Sequence, residues 1–134
     1  KKIVSIFPTY GMISVYSSIY KYKIKNISES KFEENIISKD IIKNCSFIYL
    51  ANPNQPSGNI IKYHSLINII KKANKQKIHI VIDEAYIDFT NQKSCSNLVK
   101  KYKYLIVLKS LSKSIGIAGL RLGYVISNPQ IKII

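Results

Sequence analysis

Apolar runs of about five residues recur along the chain between amphipathic stretches, and that alternation restricts the fold more than any other feature. Runs this short suit strands that alternate with helices in a mainly parallel α/β sheet. They predict strands at Ile3 to Phe7, Tyr20 to Ile27, Ser46 to Ala51, Ile78 to Asp83, Tyr104 to Lys109 and Leu122 to Ser127, with helices in most of the gaps. The clearest helix runs from Lys62 to Lys75. Tyr63, Leu66, Ile67, Ile70 and Ala73 share one face there, while Lys62, Lys71, Lys72 and Lys75 fall largely on the other, so the apolar face should pack on the sheet. Lys21, Lys23 and Lys25 alternate with Tyr20, Tyr22 and Ile24, the pattern of an edge strand whose charged face discourages pairing with other chains. No internal repeat, linker or shift in composition marks a second domain.

With 134 residues, 46% of them apolar and 21% charged, the chain can bury a sizeable core, which excludes wholesale disorder. Its longest apolar stretches, such as Tyr104 to Leu108, fall far short of the ~20 residues that cross a bilayer, so no membrane partner is expected. Pro8 interrupts the first apolar stretch before it could act as a signal-peptide core. Cys45 and Cys95 lie far apart with no metal-ligand spacing, which reads as reduced thiols in a cytoplasmic protein without a metal site. The net charge of +14 invites a nucleic-acid reading, but it rests on 20 lysines and a single arginine, accompanied by 27 isoleucines and 11 asparagines. Base readout and bidentate phosphate contacts favour arginine. Lys, Ile and Asn rising together looks instead like drift in nucleotide composition, and no nucleic-acid partner is expected. The exceptions to that drift are informative. Gly58, Gly116, Gly119 and Gly123, with Pro53 and Pro56, fall in two short segments, and the lone Arg121 falls in the second.

Three predicted strands end in polar loops, and strands of open α/β sheets deliver functional groups at their carboxyl ends. The loops are Ala51 to Gly58, Asp83 to Tyr86 and Lys109 to Lys113, and they should converge on one rim. Ser110, Ser112, Lys113, Gly116, Gly119 and Arg121 combine hydroxyls, an amine, permissive backbone and a planar cation, a set suited to a phosphate. A lysine partly desolvated beside another cation can also attack an aldehyde and form a Schiff base. Asp83, an acid at a buried strand end, needs a cationic partner to stay ionised; a protonated pyridine nitrogen would serve, with Tyr86 donating to a ring hydroxyl. The plainer readings are that Lys113 is one more solvated lysine, that Arg121 pairs on the surface, and that Asp83 caps a turn while Tyr86 lies in the core.

Asn-Pro-Asn-Gln-Pro-Ser-Gly from Asn52, Asp-Glu-Ala-Tyr from Asp83 and Ser-Leu-Ser-Lys-Ser-Ile-Gly-Ile-Ala-Gly-Leu-Arg-Leu-Gly-Tyr from Ser110 occur in that order, after Pro8-Thr9-Tyr10-Gly11-Met12. Together they resemble the pyridoxal-phosphate site of fold-type I (class I/II) aminotransferases, most closely that of histidinol-phosphate aminotransferases. The resemblance covers Pro8 to about Asn128. It implies the three-layer α/β/α large domain of that family, with six of its seven strands. It implies pyridoxal 5'-phosphate as cofactor. Lys113 matches the lysine that holds the cofactor and then shuttles the substrate α-proton, Asp83 the acid on the pyridine nitrogen, and Tyr86 the tyrosine on the ring's phenolic oxygen. Ser110 and Arg121 match phosphate ligands, and Tyr10 the aromatic stacked on the ring.

Gln55 stands where the family usually has an asparagine on the same phenolic oxygen, so either the Gln55 amide or that of Asn54 would take the part; Ser57 for threonine keeps the hydroxyl. Family members are longer. The resemblance implies that 1–134 is a partial large domain, without the N-terminal arm, the first strand and its phosphate-binding helix, or the small domain that carries the substrate-carboxylate arginine. The implied reaction exchanges an amino group between a phosphorylated imidazole amine and a 2-oxo acid in histidine biosynthesis, in a cytoplasmic enzyme that is a homodimer when complete. Threonine-phosphate decarboxylases and other class I/II aminotransferases would share these loops. The competing readings are a basic module that uses Lys71, Lys72, Lys75, Lys100, Lys101 and Lys103 on RNA or another anionic surface, and an inactive remnant.

Overall fold

A computed structural model describes residues 1–31 and 38–131. All six expected strands form, as β1 (Lys2–Phe7), β2 (Lys23–Ser28), β3 (Cys45–Ala51), β4 (His79–Asp83), β5 (Leu105–Ser110) and β6 (Gly123–Ser127), in one sheet of order β2-β1-β3-β4-β5-β6. Every neighbouring pair is parallel except β5 with β6, which is antiparallel. Helices α1 (Met12–Ile19), α2 (Lys39–Ile42) and α3 (Tyr63–Lys75) lie in the first gaps. β2 is an edge strand with Lys23 and Lys25 exposed, as the alternating lysines predict.

Along the strands successive side chains alternate between the two faces of the sheet, and the inner strands β1, β3, β4 and β5 carry most of the buried residues. Val4, Ile6, Ile48, Leu50, Ile80, Ile82, Leu105 and Val107 point to one face, where Leu66, Ile69, Ile70 and Ala73 of α3 complete the main core. Ile3, Tyr49 and Ala51 point to the other, against Ile13 of α1. These two covered faces are the three layers the resemblance implies. α3 buries Ile69, with Ile67 only half-buried, so its apolar stripe is turned slightly from the expected one. Lys71, Lys72 and Lys75 are exposed, and Lys72 and Lys75 sit in the last turn, where cations suit the helix dipole.

One expected boundary needs correction, and two of the five gaps between strands hold no α-helix. β2 starts at Lys23 and not Tyr20, because Tyr20 ends α1 through its N–H to the Tyr16 carbonyl (2.9 Å) and Lys21 turns the chain with φ 55°. The gaps on either side of β5 hold only short 3-10 turns, at Ile87–Phe89, Ser96–Lys100 and Ala118–Leu120. Hydroxyls compete there for the backbone: Thr90 Oγ1 donates to the Ile87 carbonyl (2.8 Å), and Thr90 and Ser94 accept from the N–H groups of Gln92 (3.1 Å) and Ser96 (3.0 Å). Such local bonds favour turns over helix.

Candidate active site

The carboxyl ends of β3, β4 and β5 open into one cavity of about 430 Å³. Alternation along the strands aims Ala51, Asp83, Leu108 and Ser110 into it from the face opposite α3. Tyr10 from the β1 loop, Gln55, Tyr86, Ser112, Lys113 and Arg121 also line it. The structure thus brings together eight of the nine residues singled out in the sequence. Backbone bonds hold the strand ends in step, from the Asn52 N–H to the Asp83 carbonyl (2.8 Å) and from the Glu84 N–H to the Leu108 carbonyl (2.9 Å).

Asn54 is the ninth, and it is absent from the cavity lining. It is buried, and its amide donates to the Pro8 carbonyl (2.9 Å), Glu29 Oε1 (3.0 Å) and Ser57 Oγ (3.2 Å), while its oxygen accepts from Thr9 Oγ1 (2.9 Å). Every polar atom is committed to tying the β1, β2 and β3 loops together, so of the two candidate amides only that of Gln55 lines the cavity.

Asp83 ends β4 with both oxygens held from behind: Oδ2 accepts from the Tyr49 hydroxyl (2.7 Å) and Oδ1 from the Ala85 N–H (3.0 Å). The second bond is the turn cap that the plainer reading expected, and the residue serves it while still lining the cavity. Among the described residues no lysine or arginine pairs with Asp83. Tyr49 is buried, and burial together with the Asp83 charge pushes its phenol well above the ordinary value, so it remains the donor.

Tyr86 is half-buried at the cavity and not in the core, and its ring lies 5.2 Å from Lys113 Nζ. Ser114 Oγ donates to Asp88 Oδ2 (2.7 Å), fixing the loop of Lys113 to the turn that carries Tyr86. Lys113 itself is exposed, so the described residues do not supply the partial desolvation considered from sequence. Arg121 follows the 3-10 turn in a left-handed conformation, φ 52°. Ser110 Oγ accepts the Ser112 N–H (3.2 Å), which arches the backbone toward Lys113.

A second lysine, Lys109, also reaches the cavity, but it pairs with Glu84 at 3.0 Å. The Glu84 side chain is fully buried, and its carboxylate also accepts from Ser94 Oγ (2.5 Å) and the Cys95 N–H (2.7 Å). Sequence reading missed this cluster and Tyr49. An acid and a base at the ends of neighbouring predicted strands were a usable signal for the first; the second depends on strand register, which no local pattern shows.

An amine, a carboxylate, phenols and a guanidinium around one cleft at the strand ends define a small-molecule site of an open α/β fold. Residues 1–133 match the family described as aminotransferase class I and II, and the chain belongs to that family. It is 39% identical over 129 residues to the histidinol-phosphate aminotransferase of Francisella philomiragia subsp. philomiragia, an alignment covering 92% of this chain and 36% of that protein. The crystal structure of histidinol-phosphate aminotransferase from Clostridium acetobutylicum superposes with a TM-score of 0.87 at 30% identity, over 96% of this chain and 40% of that one. L-threonine-O-3-phosphate decarboxylase from Porphyromonas gingivalis shares the fold at a TM-score of 0.81 and 23% identity, over 95% and 38%. The chain spans a little over a third of the length of the curated relatives it matches. Among the described residues no helix is long and apolar enough to cross a membrane.

Proposed function

We propose that this chain is the cofactor-binding part of a pyridoxal-phosphate-dependent aminotransferase that exchanges an amino group between histidinol phosphate and 2-oxoglutarate in histidine biosynthesis. The observation that carries this is the convergence of Lys113, Asp83, Tyr86, Tyr10 and Arg121 on one cavity in a member of the aminotransferase family.

The residues fit the cofactor. Asp83, without a cationic side-chain partner among the described residues, is the carboxylate for a protonated ring nitrogen. Tyr86 and Gln55 are donors for the ring's phenolic oxygen, Tyr10 a face to cover the ring, and Ser110, Ser112 and Arg121 the donors for its phosphate. When bound, pyridoxal phosphate supplies an aldehyde and an electron-withdrawing ring that stabilises negative charge at a substrate carbon. Lys113, the exposed amine on the cavity wall, would hold that aldehyde, and its Nζ is the group that would take and return the α-proton of the substrate. Lys109 is committed to Glu84 and does not compete for the role.

The histidinol-phosphate assignment is supported by the 39% identity to the Francisella protein. Exposed Val15, Tyr16, Ile19 and Tyr20 on and beside α1 support a homodimer of the complete, cytoplasmic protein. The full-length protein, loaded with pyridoxal phosphate, should convert histidinol phosphate with 2-oxoglutarate and release glutamate. Turnover of threonine phosphate with release of carbon dioxide, and none of histidinol phosphate, would replace this reading with a decarboxylase. Failure to bind the cofactor would end it.

A further inference from the structure

Tyr49 has a hydroxyl that its packing does not require. Its ring is 2% exposed, set among Ile3, Ala51, Phe47 and Val81, and a phenylalanine would fill that volume equally well. Burying a hydroxyl without a partner is costly, and the partner here is a single atom, Asp83 Oδ2 at 2.7 Å. β3 and β4 are parallel, with Ala51 opposite Asp83 and Tyr49 opposite Val81, so the phenol reaches Asp83 on the diagonal, from the side facing the sheet. Ala85 N–H holds the other oxygen. A carboxylate at a cavity wall rotates about its last bond unless something stops it, and these two donors do. Each oxygen keeps further acceptor capacity. The phenol is a stiff donor, and it stays protonated because burial and the Asp83 charge raise its proton affinity.

Resting on the reading of the cavity as a pyridoxal-phosphate site, we propose that Tyr49 is a positioning residue: its hydroxyl sets the rotation of the Asp83 carboxylate so that this acid meets the ring nitrogen of the cofactor. The role needs Tyr and not Phe, and it acts only on a ring that carries a nitrogen.

The test uses full-length wild-type and Tyr49→Phe proteins, titrated with pyridoxal phosphate and with its 1-deaza analogue, whose ring has a C–H in place of the nitrogen. Loss of a hydrogen bond to a charged group should weaken pyridoxal phosphate roughly ten-fold in the variant, leave the deaza analogue unchanged, and leave the melting temperature of the cofactor-free protein within a few degrees. Asp83→Asn should lose the same preference for the nitrogen-bearing ring, and adding Tyr49→Phe to it should cost nothing more. Equal weakening of both ligands, no weakening of either, or additive penalties in the double variant would overturn the proposal and leave the cofactor reading standing. A wild-type protein that binds neither ligand would overturn both.

Discussion

Lys109 Nζ lies 3.0 Å from a carboxylate oxygen of the fully buried Glu84, the single ion pair among the described residues. The two residues stand at the ends of adjacent parallel strands, and their pairing divides the labour between two lysines four positions apart. Lys109 neutralises a buried charge, whereas Lys113 has no carboxylate within ion-pair reach among the described residues and faces the cavity beside Tyr86.

Exchanging the two lysines for alanine should therefore give opposite phenotypes. Lys113→Ala keeps the fold and loses the cofactor's visible imine band and its turnover. Lys109→Ala strands a buried carboxylate, which costs about 3 kcal/mol of stability. Urea titration read by circular dichroism separates the two, and a Lys113→Ala protein with normal turnover would refute the assignment.

Gly123 opens β6 directly opposite the end of β5. A Cβ there would lie 2.9 Å from the Lys109 carbonyl oxygen, inside contact distance and against backbone that cannot swing away. Gly123→Ala should push β6 off β5, with a loss of about 1–3 kcal/mol. Because Lys109 and Ser110 border the cavity, cofactor affinity should fall with it. Gly119→Ala, where a Cβ meets nothing within 4 Å, is the control expected to leave stability nearly unchanged.

Burial, reinforced by the nearby Glu84 charge, pushes the Cys95 thiol up to about 12 from an ordinary value near 9.0. In the unfolded chain the thiol ionises near pH 9, while in the folded chain it keeps its proton, so the unfolded state binds fewer protons between these values. Stability falls as pH rises there, by about 1.4 kcal/mol per unit at most from this group. Denaturation midpoints between pH 8 and 11 should show the decline, and Cys95→Ala should remove this part of it. The native thiol should also resist alkylation at pH 8 and react on unfolding.

The strands and the loop motifs are legible in the sequence because each is a local pattern: apolar runs for the strands, clustered Gly, Pro and Ser for the loops. Local pattern alone suffices to put Asp83, Tyr86, Ser110, Lys113 and Arg121 on one rim. What escapes it is pairwise and set by register. The Tyr49 phenol looks like one more core aromatic until β3 is laid beside β4, and Glu84 looks like a solvated neighbour of Asp83 until Lys109 is placed on the adjacent strand. Asn54 is a candidate for the cofactor only because it sits next to Gln55 in sequence. Successive residues of a loop need not face the same way, and only the bonds to Pro8, Thr9, Glu29 and Ser57 reveal its use.

That use leads to the acid-side prediction. Burial by itself would raise the Glu29 carboxyl, but side-chain hydrogen bonds from Ser57, Asn54 and Asn59 outweigh it and leave the group below its ordinary 4.5. A depressed carboxyl contributes stability that is present above pH 4.5 and disappears as pH falls through the lower folded value, because the unfolded chain takes up the proton first. Asn54→Ala removes one donor from Glu29 and leaves the Pro8 carbonyl and the Thr9 hydroxyl short of a partner. At pH 7 it should cost about 1–3 kcal/mol. Its stability should also decline less steeply than wild type below pH 4.5, since less of the Glu29 contribution is left to lose. Tyr10 follows Thr9 directly, so the same variant should loosen the aromatic wall of the cavity and weaken cofactor binding. Melting curves at pH 3.5, 4.5 and 7 check this: parallel losses for Asn54→Ala and wild type across that range would show that Asn54 does not act through the Glu29 carboxylate.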